Sequence, residues 1–323
     1  MNILITGCAG FIGFHLSKKL LENNKKDIIF GIDNLNTYYD ISLKRNRLKI
    51  LKQNSKFKFT KLDIFNEKKL NFFFKTNKFD IVINLAAQAG VRYSITNPKD
   101  YLNSNILGFY NIITACKNYK IKHLIFASTS SVYGDNKSFP LDEEKETSKP
   151  ISFYAATKKT NEIIAHSFNK IYNLKSTALR FFTVYGPYGR PDMALFKFTK
   201  SIIEEKKINL HNYGNHVRDF TYIDDVVNLI QKIIYSKNKI NNFSIYNICS
   251  NEPLTLNKFL KIIENKINKK AKINFTPLQL GDVYKTHGDN KKISKKFNLK
   301  IKSNHKINIG KFIDWYLKYY RIQ

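Results

Sequence analysis

The chain has 323 residues and a formal net charge of +30, with 55 Lys and Arg against 25 Asp and Glu. Hydrophobic residues make up 43% and aromatics 14%, which excludes a disordered basic tail and is ample for a core. The length fits one large domain with a smaller lobe.

In chain order, Asn2–Thr6 predicts a strand and Phe11–Glu22 a helix. Asp27–Ile32, Phe57–Leu62, Asp80–Leu85 and His123–Ala127 predict further strands, with helices at Glu67–Lys75 and Pro98–Tyr119. Strands separated by helical stretches of ten or more residues imply right-handed crossovers and a parallel sheet. The expected class is α/β, a doubly wound Rossmann sheet with a smaller, interleaved C-terminal lobe. Gly186, Pro187, Gly189 and Pro191 suggest a boundary after Tyr185. Beyond it, Tyr222–Tyr235 predicts a helix and Phe243–Ile248 a returning strand. Residues 1–185, rejoined by 218–250, are expected to form the cofactor domain, and 186–323 mainly a substrate lobe.

The charge invites a nucleic-acid reading, but the excess is nearly all Lys beside abundant Asn and Ile, the drift of an AT-rich genome. Arginine is confined to Arg45, Arg47, Arg92, Arg180, Arg190, Arg218 and Arg321. No ribonucleoprotein motif, zinc-finger spacing or basic coiled coil is visible, so a solvated surface is expected and nucleic acid is not an expected partner. A basic RNA-binding protein on a Rossmann scaffold stays as the reading from another class; its affinity would fall steeply with salt.

Cys8, Cys116 and Cys249 are odd in number and widely spaced, neither a disulfide framework nor a zinc site, so no metal is expected. A reducing, cytoplasmic location follows as the expectation. No apolar run reaches the ~18 residues of a membrane helix, and MNILITG does not open like a signal peptide.

Gly7-Cys8-Ala9-Gly10-Phe11-Ile12-Gly13 stands between the first predicted strand and helix. Gly7 permits a tight turn, Gly10 lets backbone approach a pyrophosphate, and Gly13 allows close packing, while the helix start presents amides and dipole. Asp33, twenty residues on, suits the ribose hydroxyls and repels a 2′-phosphate, favouring NAD over NADP; with Asn34 following, a local cap is the blander role. Asp63-Ile64, closing the third strand, is placed to reach the adenine, against the alternative of an ordinary loop aspartate.

Tyr154-Ala-Ala-Thr-Lys158 puts a phenol and an ammonium on one helical face. A free tyrosine is a poor base at neutral pH, its pKa being about 10; a neighbouring lysine stabilises the phenolate. Upstream, Ser128-Thr129-Ser130-Ser131-Val132-Tyr133-Gly134 offers hydroxyls at a strand's carboxyl end, where ligands bind in such sheets. Backbone capping accounts for one or two of them.

These motifs, with DNLNTYYDISLKRNRL, NLAAQAGVRYSITNP, LRFFTVYGPYGRPDMALFK and HVRDFTYIDDVV in order, resemble the NAD-dependent epimerase/dehydratase family of the extended short-chain dehydrogenase/reductase superfamily over essentially the whole chain. Within it the sequence looks like the nucleotide-sugar 4-epimerases acting on UDP-glucuronate. The resemblance implies that Thr129, Tyr154 and Lys158 are catalytic, and that Gly7, Gly10, Phe11, Ile12, Gly13, Asp33, Asn34, Asp63, Ile64, Leu85, Ala86, Ala87 and Asn105, with Tyr154 and Lys158, hold NAD. It assigns Ser130, Ser131, Thr183, Arg190, Arg218, Gln279 and Asp282 to the UDP-sugar, Arg218 at the diphosphate and Arg190 near the sugar's acidic end. In an arginine-poor chain, Arg190 and Arg218 suggest a need for the bidentate guanidinium. Two departures are Leu280, where the family usually has proline, and Gln279, where glucose epimerases carry a second arginine. Thr129-Ser130-Ser131 lacks the carboxylate of related dehydratases and decarboxylases. The resemblance implies C4 epimerization of UDP-glucuronate to UDP-galacturonate through a 4-keto sugar, with UDP-glucose or UDP-N-acetylglucosamine as the alternative substrate. It also implies a homodimer through the helices near Pro98–Tyr119 and Phe153–Tyr172.

Overall fold

The computed structural model describes residues 1–23, 26–236, 241–279, 281–299, 301 and 303–322; Leu280 therefore lies outside the described residues. The first half runs β1 (Asn2–Thr6), α1 (Phe11–Asn23), β2 (Ile28–Asp33), α2 (Ile41–Leu51), β3 (Phe57–Lys61), α3 (Glu67–Thr76) and β4 (Ile81–Asn84). Short helices α4 (Tyr93–Thr96) and α5 (Pro98–Tyr101) lead through a π-helical stretch, Leu102–Leu107, into α6 (Gly108–Asn118). Then come β5 (His123–Thr129), a 3₁₀ turn at Ser130–Tyr133, α7 (Phe153–Tyr172), β6 (Ser176–Phe181) and β7 (Thr183–Tyr185). The remainder is α8 (Ala194–Ile203), β8 (Lys207–His211), β9 (Val217–Tyr222), α9 (Ile223–Tyr235), β10 (Phe243–Ile248), β11 (Pro253–Thr255), α10 (Leu256–Ile267), β12 (Lys272–Thr276), α11 (Lys291–Phe297) and α12 (His305–Tyr320).

Seven strands form one sheet in the order β10-β6-β5-β4-β1-β2-β3. Every pairing in it is parallel. Helices cover both faces, so the central strands are apolar throughout: Ile3, Leu4, Ile5, Val82, Ile83, Leu124 and Ile125 are all buried. The chain departs from β1 to opposite sides through β2 and β4, and this switch point opens a crevice at the strands' carboxyl ends. The doubly wound α/β fold read from the sequence is the fold observed.

The smaller lobe holds a three-stranded sheet, β11-β9-β7, and a two-stranded one, β12-β8. The chain path passes between the sheets: β9, at the start of the segment expected to rejoin the large sheet, lies instead in the small one, and only β10 pairs with the large one, beside β6. Helix ends use the chain's abundant asparagine where glycine is usual. Asn173, Asn268 and Asn298 close α7, α10 and α11 at φ 54°, 58° and 50°, and a short polar side chain tolerates that left-handed geometry.

Candidate active site

A cavity of 660 Å³ runs along the carboxyl ends of the sheet and under the small lobe. Its floor begins at the glycine-rich turn. Gly7 sits at φ +70°, and a Cβ on Gly13 would lie 2.2 Å from the Gly7 carbonyl oxygen, so α1 leaves the turn closer than any other residue permits. Phe11 and Ile12 open α1, where amides have no carbonyl one turn back, and both line the cavity. This cradle fits a dinucleotide pyrophosphate by close backbone approach and unspent helix-start amides.

Asp33 closes β2 on the same wall. Its Oδ2 accepts from the Ala9 amide at 3.1 Å and its Oδ1 from the Leu35 amide at 2.8 Å. The local capping role weighed from sequence is observed: the carboxylate secures the glycine turn and its own loop, and each oxygen retains a second lone pair. Burial pushes its carboxyl above the usual range. Asn34 donates from Nδ2 to Asp63 Oδ2 at 2.9 Å, joining the ends of β2 and β3. Ile64, Leu85, Ala86 and Ala87 complete this half of the lining.

Asn105 does not line the cavity. It is 1% exposed; its Nδ2 donates to the Gln88 carbonyl and to Thr157 Oγ1, both at 3.0 Å, and its Oδ1 accepts the Gln88 amide at 2.8 Å. It braces the loop after β4 against α7 from behind, and its neighbour Ser104 is the residue on the wall. Gln279 is likewise exposed and off the lining, because its side chain lies on the outer loop.

Thr129 ends β5, and its Oγ1 both donates to Ser131 Oγ and accepts the Ser131 amide at 3.2 Å. Facing it, α7 begins at Ser152, whose hydroxyl accepts the Ala155 amide at 3.1 Å. Tyr154 and Lys158 follow one turn apart. Lys158 is 2% exposed, and its Nζ donates to the Ala127 carbonyl at 3.0 Å; burial lowers its pKa to about 8. Burial raises the Tyr154 phenol, while the Thr129 hydroxyl and the positive charge of Arg190 pull it back.

Ser130, Ser131 and Thr183 line the next stretch. Arg190 beside them is already engaged: Nε donates to Asp192 Oδ1 at 3.0 Å, and the guanidinium lies 6.0 Å from the Tyr38 ring centroid. Tyr38 in turn donates to Asp192 Oδ2 at 3.2 Å. Arg218 is anchored from outside the cavity by carbonyls, with Nη1 to Val217 at 3.0 Å and Nη2 to Val283 at 2.7 Å. Burial lowers its pKa to about 10; Asp282 opposes this and Arg92 adds to it. Arg92 Nη2 donates to Asp282 Oδ2 at 2.7 Å, and Nη1 meets His211 Nε2 at 3.2 Å. Arg92 is thus paired with Asp282, while Arg218 keeps only carbonyl partners and feels Asp282 through its field, so the positive charge at this end exceeds the negative and favours a polyanion. Arg92, Tyr38 and Asp192 were not assigned from sequence, although Arg92 stands in the GVRYS motif and its rarity as an arginine was the available signal.

The sequence pattern of the NAD dependent epimerase/dehydratase family matches residues 3–249. The chain belongs to that family. Among its relatives, Protein CapI of Staphylococcus aureus is 45% identical over 99% of this chain and 100% of its own length. UDP-glucuronate 4-epimerase 4 of Arabidopsis thaliana is 41% identical over 99% of this chain and 76% of its own. The crystal structure of UDP-glucuronic acid 4-epimerase from Bacillus cereus, in complex with UDP-glucuronic acid and NAD, superposes with a TM-score of 0.93. It is 33% identical, covering 99% of this chain and 100% of that one. In this epimerase/dehydratase chain no described helix is long and apolar enough to cross a membrane, and Cys8, Cys116 and Cys249 are free and buried.

Proposed function

We propose that the protein is an NAD-dependent UDP-sugar 4-epimerase, with UDP-glucuronate and UDP-galacturonate as its substrate pair. The observation that carries this is a single cavity lined by the glycine-turn cradle, the Thr129–Tyr154–Lys158 group and the Arg92–Arg218 pair. Similarity to the Arabidopsis and Bacillus cereus enzymes supports the choice of sugar.

Gly7, Gly10, Gly13 and the amides of Phe11 and Ile12 would hold the NAD pyrophosphate, Asp33 the ribose, Asn34, Asp63 and Ile64 the adenosine side, and Leu85, Ala86 and Ala87 the inner wall. NAD held there would supply the hydride acceptor and donor for the sugar's C4. Tyr154 acts as the base at the 4-hydroxyl, Thr129 orients that hydroxyl, and Lys158 stabilises the phenolate. The 4-keto sugar turns about its diphosphate link and presents its other face. Arg218 and Arg92 hold the diphosphate through this turn, Arg92 being set by Asp282 and Arg218 by backbone carbonyls.

The 4-keto form of a uronate is a β-keto acid and loses CO₂ if its carboxylate aligns with the ketone. Ser130, Ser131 and Thr183 offer neutral hydroxyls to that carboxylate. Arg190, occupied by Asp192, contributes its field rather than a free fork. The same reading puts the enzyme in a reducing cytoplasm, consistent with its free cysteines. It also makes the protein a homodimer. Leu107 and Tyr110 near α6 and Ile163 and Ile171 on α7 are 41%, 48%, 59% and 67% exposed, an apolar face that a second copy would cover.

The test is NMR of purified protein with UDP-glucuronate and no added NAD. Appearance of UDP-galacturonate supports the reading; conversion of UDP-glucose alone moves it to the neutral sugars. Tyr154→Phe should lower kcat at least ~100-fold. Arg92→Met should raise KM more than it lowers kcat.

A further inference from the structure

Behind the cavity wall lies a buried polar node that the functional reading above does not use. On α7, Tyr154, Lys158 and Glu162 recur at four-residue intervals and so share one side of the helix. Glu162 is as buried as Lys158. Its Oε1 accepts from Ser128 Oγ at 2.6 Å and from Arg180 Nε at 2.9 Å, and its Oε2 accepts from Arg180 Nη2 at 2.9 Å. Both partners of this bidentate pair are 2% exposed. Arg180 reaches further: Nη1 donates to the Tyr133 hydroxyl at 3.0 Å, and that hydroxyl donates to Asn247 Oδ1 at 2.7 Å. The guanidinium carbon stands 4.9 Å from the Tyr133 ring centroid. Burial alone would push the Glu162 carboxyl up, but the bonds and charge of Arg180 hold it below its ordinary value, so the pair is ionised at neutral pH.

The node touches every element that carries the proton-transfer group. Glu162 is on α7, Ser128 is the residue before Thr129 on β5, Tyr133 ends the 3₁₀ turn bearing Ser130 and Ser131, and Arg180 and Asn247 belong to β6 and β10. One turn nearer the cavity, Lys158 Nζ donates to Ala127, the residue before Ser128. Two consecutive residues of β5 are thus tied to two consecutive turns of α7. A buried ion pair is rarely the stablest filling for a core site, since apolar side chains of equal volume often do as well. What the fork supplies is direction: a bidentate contact fixes two elements in register, where an apolar contact lets them slide.

We propose that Glu162 and Arg180 are positioning residues, locking α7 against the end of β5 so that Thr129 and Lys158 meet the Tyr154 phenol in reactive register. This rests on the epimerase reading for its kinetic consequence but not for its geometry.

The test uses the intact NAD-containing protein and the variants Glu162→Gln and Ser128→Ala. Glu162→Gln should lower kcat by about tenfold or more. KM for UDP-glucuronate and bound NAD should stay near wild type. The rising limb of the pH–kcat profile should move upward, and so should the phenol titration read by ultraviolet difference against Tyr154→Phe. Ser128→Ala, which removes one neutral donor, should move the same quantities less and serves if Glu162→Gln does not fold. Folded variants that keep wild-type kcat, pH profile and phenol titration overturn the proposal. A wild type that holds NAD but converts no UDP-sugar overturns the functional reading alone, and the phenol titration, which needs no substrate, still decides the positioning.

Discussion

His123 and Lys158 illustrate how far burial moves a side chain's chemistry. His123, 1% exposed at the start of β5, has Nε2 2.8 Å from Thr177 Oγ1 and titrates near pH 4 because burial, aided by Lys175, disfavours its charged form. Its unfolded value is about 6.5, so the unfolded chain takes up this proton first as pH falls. The neutral-His stabilisation is therefore complete above about pH 6.5 and is lost progressively toward pH 4. Wild type should lose about 2 kcal/mol relative to His123→Gln between pH 7 and pH 5. Equal pH dependence of the two in urea unfolding would refute this. At the same scale, the Tyr154–Lys158 pair is legible in sequence because four residues make one helical turn. Asn105 shows the converse: its residue type suits a ligand, but only the fold shows that its polar atoms bond Gln88 and Thr157.

The elements that carry the site were mostly visible in the chain. β1 and β10 fall at the predicted Asn2–Thr6 and Phe243–Ile248, since each is an apolar run between breakers. β6 and α2 were not read. β6 contains Ser176, Thr177 and Arg180, polar residues that are nonetheless buried, so its pattern lacked a clear period. α2 is mostly polar, and its identity comes from Asp40, whose side chain accepts the Ser42 amide, and from packing against α1. The predicted helix over Pro98–Tyr119 is interrupted by the π-helical turn at Leu102–Leu107, which no spacing rule announces. The glycine turn gives the sharpest prediction at this scale. Gly13→Ala would place a methyl 2.2 Å from the Gly7 oxygen, and α1 would have to retreat. The purified variant should lose nearly all bound NAD, read as the absorbance of extracted cofactor, while circular dichroism keeps the wild-type helix signal.

At the scale of the molecule, the two lobes meet through contacts that sequence cannot order. Arg47, fully buried, donates from Nη1 to the Ala9 carbonyl at 2.7 Å and from Nη2 to the Tyr188 carbonyl at 2.6 Å. His15 lies 2.8 Å from the Pro187 carbonyl. The glycine turn and the loop leading to Arg190 are therefore one mechanical unit, and the Arg92–Asp282 pair spans the far end of the same cleft. The exposed faces near α6 and on α7 carry the remaining prediction: sedimentation should give about twice 37.8 kDa. Leu107→Glu combined with Ile163→Glu should return a monomer, because burying two carboxylates in an apolar interface is costly. A wild type already monomeric at micromolar concentration would remove the dimer from the reading.

The sequence alone determined the α/β class, the glycine turn and the tyrosine–lysine pair, because each is encoded within a few residues by period, turn chemistry or helical spacing. The +30 charge determined little, since the groups proposed for phosphate are backbone amides and arginines rather than the numerous lysines. Tertiary structure decided which arginines face the cleft: Arg92 pairs with Asp282, Arg218 is held by the Val217 and Val283 carbonyls, Arg190 is held by Asp192, and Arg180 is buried with Glu162. A guanidinium's role depends on the carboxylate or carbonyl that reaches it first, and those partners come from strands and loops distant in the chain.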